Sequence, residues 1–201
     1  GENRTLFGDA TQNSKTLVHD GFVSLPNNHW RGAGIAIPVF SLRSKDSFGV
    51  GEFSDLALLA DWADEVNMKL IQLLPINDTT ATNTWTDSYP YAAISAFALH
   101  PIFINLEKVA GKKHADLIKP LKKKQKELNE LTVVDYEEVL RIKIETLHQV
   151  FEAQKNDWPD EKDYYHFFEA NKHWLVPYAA FCCLREKHNS ADYTKWKLHS
   201  V

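Results

Sequence analysis

Cysteine is scarce in this chain: the 201 residues include two, Cys182 and Cys183, side by side. Neighbouring residues on a helix point their side chains in different directions, so a disulfide between them is disfavoured and both are expected as reduced core residues. Metal-ligand spacing is missing too. The nine histidines form no HxxxH pattern and the cysteines no CxxC, so no metal and no cofactor is implied. No apolar run reaches transmembrane length, and the opening stretch ENRTLFGDATQNSKT has neither a charged start nor an apolar h-region. Positive charge is not in excess. A formal net charge of −4 offers no general attraction to nucleic acid or to an anionic membrane. These absences leave the expectation of a soluble, cytoplasmic protein with enough apolar content for a core and with a small or neutral partner.

The densest information lies between Leu70 and Pro101. Leu70, Ile71, Leu73 and Leu74 make a short apolar run bounded by Pro75, which suits a strand buried on both faces of a parallel sheet. Asn77, Asp78, Trp85, Asp87, Ser88, Tyr89 and Tyr91 follow it directly. Loops leaving the carboxyl ends of parallel strands carry the binding site in α/β architectures. Aromatic rings beside carboxylates and hydroxyls are suited to a sugar, because rings cover its C–H faces while acids and hydroxyls bond its OH groups.

Upstream, residues 1–30 are polar and read as a lead-in or linker. AGIAIPVFSL is the first strand candidate, with Pro38 near its end. FGVGEF supplies a turn, and Ser54 and Asp55 open a helix whose apolar positions are Leu56, Leu59, Ala60, Ala63 and Val66, with Asn67 as its stop. The resulting strand, helix, strand unit over residues 31–106 must cross over right-handed and pair its strands in parallel. Residues 107–201 read as mainly helical after a brief alternation at Ile102, Ile104 and Leu106. Asp135 and Glu138 form a capping-box pair ahead of a face made by Tyr136, Leu140, Ile144, Leu147 and Phe151. Pro177 is placed near the start of the last helix and Asn189 near its stop. Two parallel strands are too few for a sheet of about five to eight, so the sheet is read as unfinished and its edge beside Leu70 as needing a cover. The chain is therefore expected to be the front part of a longer protein.

Several features have plain structural readings. Gly49 and Gly51 lack the third glycine or the GK[ST] ending of a phosphate loop and are read as a turn. The lysines between Lys112 and Lys126 precede acidic residues and are read as a solvated helical face. Asp78 and Asp87 are the carboxylates to choose as an acid/base pair, yet loop aspartates more often fix a turn by accepting backbone N–H groups. Tyr164, Tyr165, Phe167, Phe168 and Trp174 are read as the core of the helical layer.

RGAGIAIPVFSLRSKDSFGVGEFSDL, IQLLPIND and DSYPYAAISAFALHPIFI together resemble the 4-α-glucanotransferase family, the amylomaltases or disproportionating enzymes. The resemblance covers Trp30 to Leu106 and, more loosely, Trp174 to Trp196. SYPY and ALHP are similar to the subgroup related to the plant cytosolic enzyme, in which starch-binding modules precede the catalytic barrel. The resemblance implies the N-terminal portion of an interrupted (β/α)8 barrel with a helical insertion. It further implies transfer of an α-1,4-glucan segment to maltose, glucose or another sugar acceptor with retention of configuration. Such a mechanism needs a carboxylate nucleophile and an acid/base about 5 Å apart. The resemblance puts these residues on later strands, beyond Val201, so the chain alone is expected to be inactive. Sugar contacts carry over to Tyr91 and Ser88, with Tyr89 inserted between Ser88 and Pro90, and to Trp85 as a remote glucan-contact position. His100 stands where many members have Asn and is given no catalytic role. The alternatives are a non-catalytic glucan-binding piece and an α-glucan hydrolase of the same fold.

Overall fold

The computed structural model describes residues 4–5, 17–19, 22–24, 32–156 and 162–197. The chain divides into two units, Gly1–Ala33 and Gly34–Val201. In the first, β1 (Arg4–Thr5), β2 (Leu17–His19) and β3 (Phe22–Ser24) form an antiparallel sheet in that order, with Arg4 opposite Val18 and Val18 opposite Val23. The rest of the lead-in expected over residues 1–30 lies outside the described residues.

The second unit opens with β4 (Gly34–Ile37), a Gly-rich turn, α1 (Asp55–Glu65) and β5 (Leu70–Leu73). β4 and β5 pair in parallel from Gly34 opposite Leu70 to Ile37 opposite Leu73. The two backbones approach closely at the start of the pair, where a Cβ on Gly34 would lie 2.6 Å from the Leu70 carbonyl oxygen. Ser54 does not cap α1. The Asp55 carboxylate organises the entry instead, accepting from the Glu52 N–H (2.8 Å) and the Ser47 hydroxyl (2.9 Å). The helix stops at Asn67, which takes a left-handed φ of 58°. Leu59 and Ala63 are buried, but Ala60 and Val66, expected on the same face, are exposed with Leu58 and Trp62. β5 is likewise not buried on both faces. Leu70, 56% exposed, and Gln72 alternate with half-buried Ile71 and Leu73, because among the described residues only one face of the pair meets other elements and no third strand joins it.

The helical part comprises α2 (Leu106–Ala110), α3 (Ala115–Ile118), α4 (Lys122–Asn129), α5 (Tyr136–Gln154) and α6 (Lys162–His188). Ile102 does not start a strand. Pro101 opens a 3-10 turn whose Ile102 N–H is taken by the His100 ring, and Asn105 then caps α2. Asp135 caps α5 by accepting from the Glu138 N–H (3.1 Å), but Glu138 turns its carboxylate to Lys124 and Arg141, so the box is half formed. The buried face of α5 is Tyr136, Val139, Leu140, Ile142, Lys143, Thr146 and Val150. Ile144 and Leu147 are half-buried and Phe151 is exposed, a rotation hidden from hydropathy because two of the buried positions are polar.

Lys143, with none of its side chain exposed, explains that rotation. Its ammonium donates to Glu52 Oε1 (2.6 Å) and to the carbonyls of Ile102 (2.7 Å) and Ile104 (2.9 Å), while Glu52 Oε2 accepts from Asn105 (2.6 Å). Burial pushes the Glu52 pKa up and the Lys143 pKa down, and each partner holds the other back. Around the pair, Val39, Phe48, Val50, Ile102, Phe103, Leu106, Val139 and Leu140 belong to one apolar core. The Gly-rich turn serves this core: a Cβ on Gly49, at φ +75°, would lie 2.9 Å from Leu128 Cβ, and one on Gly51 would lie 1.9 Å from the Val39 carbonyl oxygen.

α6 corrects three expectations. Pro177 lies inside the helix rather than near its start. Tyr164, Tyr165 and Phe167 are exposed, so the aromatic cluster is not a core among the described residues. Cys182 is half-buried and Cys183 exposed, both free, since adjacent helical residues diverge by roughly 100°. α6 ends at Asn189, where φ is 50°. The lysine-rich α4 pairs with acids, as at Lys124 and Glu138 (3.2 Å). Among the described residues no helix is long and apolar enough to cross a membrane and no cluster fits a metal.

Candidate functional site

Beyond β5 the chain makes a loop closed at its neck. Asn77 bridges Leu99 in antiparallel fashion; the Asp78 N–H donates to the Ala98 carbonyl (2.9 Å) and the His100 N–H to that of Ile76 (2.9 Å). Ile94 N–H returns to the Asp78 carbonyl (2.8 Å). The loop thus stands at the carboxyl end of the parallel pair on a fixed base.

Two aspartates hold it together. Asp78, 1% exposed, accepts from the Thr80 N–H (2.9 Å) and hydroxyl (2.7 Å) on Oδ1 and from the Tyr178 hydroxyl (2.5 Å) on Oδ2. Asp87, 5% exposed, accepts from the Thr82 hydroxyl (3.0 Å) on Oδ1 and from the N–H groups of Thr82 (2.8 Å) and Asn83 (2.6 Å) on Oδ2. Thr79 joins the two segments by donating its hydroxyl to the Asp87 carbonyl. All four carboxylate oxygens are engaged, so neither aspartate is placed as a free acid or base.

The remaining site residues divide into two groups. Trp85, Asp87 and Ser88 line a cavity of about 410 Å³ whose other walls are Pro38, Val39 and Phe40 after β4, Pro75 and Asn77 after β5, and Val133 and Val134 before α5. Trp85 is 68% exposed, and its backbone N–H donates to Glu137 Oε1 (2.8 Å), tying the loop to the first turn of α5. Tyr89 and Tyr91 are outside that lining. Each is 61% exposed, and their ring centroids lie 5.5 Å apart.

Inside the cavity wall, buried His100 and Tyr136 face each other, with Nε2 3.0 Å from the hydroxyl. The Ile102 N–H donates to His100 Nδ1 (3.1 Å), which leaves the ring proton on Nε2 to be donated to Tyr136. Burial lowers the His100 pKa to about 4 against the pull of Asp78 and Asp87, and burial with those same carboxylates raises that of Tyr136. Both are neutral near pH 7. The site can bind neutral, hydroxyl-rich molecules against rings, and among the described residues it holds no acid/base pair poised for bond cleavage.

Sequence reasoning did not single out Thr79, Thr80 and Thr82, the partners of the two aspartates, nor Tyr178 and Arg185, which reach the loop from α6. Arg185 Nη1 donates to the Thr80 carbonyl and to its hydroxyl (2.9 Å). The signal available was periodic: Trp174, Tyr178 and Arg185 recur at four and seven along α6, a single face ending in a charge that hydropathy assigns to solvent.

A parallel strand pair crossed by a helix, carrying a loop of rings and hydroxyls at its carboxyl end, defines an α/β protein with its site where such folds bind ligands. A solved structure, an amylomaltase from Streptococcus agalactiae in complex with acarbose, superposes on 84% of this chain and 32% of its own, with a TM-score of 0.61 at 20% identity, which speaks to fold. The sequence profile of the 4-alpha-glucanotransferases matches residues 37–200. The 4-alpha-glucanotransferase DPE2 of Oryza sativa subsp. japonica is 41% identical over 180 residues, 90% of this chain and 19% of that protein. The 4-alpha-glucanotransferase of Chlamydia muridarum is 32% identical over 164 residues, 81% of this chain and 30% of that protein. The chain belongs to the 4-alpha-glucanotransferase family. It spans only 19% and 30% of the length of these two relatives.

Proposed function

We propose that this chain carries the opening part of the catalytic barrel of a cytoplasmic 4-α-glucanotransferase, in which the β4, α1, β5 unit begins a (β/α)8 barrel interrupted by the helices that follow. The observation that carries this reading is the loop at the strand ends, which turns Trp85, Tyr89 and Tyr91 outward while its aspartates are consumed in its own framework. Tyr91, Tyr89 and Trp85 cover faces of an α-1,4-glucan, Ser88 bonds its hydroxyls, and Asp87 shapes the turn that presents them. The barrel reading is supported by the exposed apolar side chains of Leu58, Trp62 and Leu70, faces that further strands and helices of the same protein would cover. Upstream starch-binding modules are the other part proposed for that protein.

The reaction is transfer of a glucan segment to maltose, glucose or a longer acceptor by a retaining double displacement. Its nucleophile and acid/base are assigned to residues outside this chain, in keeping with the engaged state of Asp78 and Asp87. That engagement also favours one alternative, a glucan-binding piece without chemistry. Incubating the naturally full-length protein with maltotriose and resolving the products separates these readings. Longer glucans with released glucose are expected. Glucose and maltose without longer products would mark a hydrolase, and bound but unchanged maltotriose would mark the binding piece.

A further inference from the structure

We infer that Tyr178 and Arg185 of α6 are positioning residues that hold the sugar loop in its binding shape through Asp78 and Thr80. The inference rests on the proposed reading that this loop carries a glucan. Both residues lie about a hundred positions away in sequence, and the contacts form one chain of bonds: Arg185 Nη1 donates to the Thr80 hydroxyl (2.9 Å), that hydroxyl donates to Asp78 Oδ1 (2.7 Å), and the Tyr178 hydroxyl donates to Asp78 Oδ2 (2.5 Å). In a site shielded from water such linked bonds polarise and strengthen one another. Arg185 also donates to the Thr80 carbonyl, so one guanidinium grips both polar ends of that residue.

Two details argue that this grip serves geometry. Arg185 is buried and its Nε meets no partner among the described residues, so the hydrogen bonds that hold its guanidinium in place there are those to Thr80. Asp78 is also the residue whose backbone closes the neck of the loop, through the Ala98 carbonyl and the Ile94 N–H. From Asp78 and Thr80 the constraint passes by the Thr79 hydroxyl to the Asp87 carbonyl, and so to the turn bearing Trp85 and Ser88. Trp174 extends the same helix face by stacking on Phe97 (5.4 Å between centroids), at the return limb of the loop. A shift of α6 would therefore be passed to the turn that bears Trp85 and Ser88.

The test uses the naturally full-length protein with maltotriose as donor. Tyr178→Phe removes one hydroxyl, and Arg185→Met removes both hydrogen bonds that Nη1 donates to Thr80 while keeping an unbranched side chain. Each is expected to raise KM, by up to about tenfold as the fraction of loop in its binding shape falls, with kcat within about twofold. Assays run well below each variant's unfolding midpoint, so destabilisation alone leaves KM unchanged. Combined with Tyr91→Ala, either substitution is expected to add little, because both act through one loop. Unchanged KM in both variants, or effects that multiply fully with Tyr91→Ala, would overturn the inference. Absence of transfer by the wild type, or a silent Tyr91→Ala, would overturn instead the reading beneath it.

Discussion

His100 shows how one buried side chain ties the loop to pH. Burial lowers its pKa to about 4 from an ordinary value of about 6.5, so the folded chain binds fewer protons than the unfolded chain between those values. Its contribution is complete above pH 6.5 and is lost as pH falls toward 4, on the order of 3 kcal/mol in all. Unfolding midpoints recorded from pH 7 to 4 are expected to fall less steeply in His100→Asn than in wild type; parallel slopes would contradict the burial argument. At this scale the crowding of the candidate loop was legible. Trp85, Ser88, Tyr89 and Tyr91 stood out because aromatic and hydroxyl residues crowd one loop after a strand. The use of Asp78 and Asp87 as loop anchors was also legible as the common fate of loop aspartates. Their threonine partners were not, because a threonine's hydroxyl has no directional signature until the backbone that it meets is known.

Among the elements, α5 is the one most misread by hydrophobic periodicity and most dependent on a polar contact. The Lys143 and Glu52 pair sits where an apolar residue would be sought, and it is satisfied by two carbonyls and Asn105. Lys143→Met should leave the Glu52 carboxylate buried and unpaired at a cost of about 3 to 5 kcal/mol, read as a lowered unfolding midpoint. Adding Glu52→Gln to the same protein should recover a large part of that loss. If the double variant is no more stable than the single, the pair is not the source of the cost. The β4, α1, β5 crossover was legible because strands, caps and glycines agree locally. The interior position of Pro177 was not, since a proline's local preference for the first turn of a helix was overridden by side-chain anchors on both sides of it, Trp174 on Phe97 before it and Tyr178 on Asp78 after it.

At the scale of the whole molecule, the parallel pair offers one face to the helical core and leaves the other exposed, at Leu70 and Gln72, while α1 exposes Leu58 and Trp62. An isolated pair of strands is marginal in water, so these faces fit a sheet continued by other parts of a longer protein. Sequence counting reached the same arithmetic of two strands but assigned burial to both faces, because burial depends on neighbours that local pattern does not contain. This architecture presents one loop at the strand ends, where we propose that a glucan is held. The most direct test is the KM for maltotriose of the full-length protein with Tyr91→Ala beside wild type. A KM raised about tenfold or more at an unchanged unfolding midpoint is expected when an aromatic sugar contact is removed. An unchanged KM in a folded, active variant would contradict it.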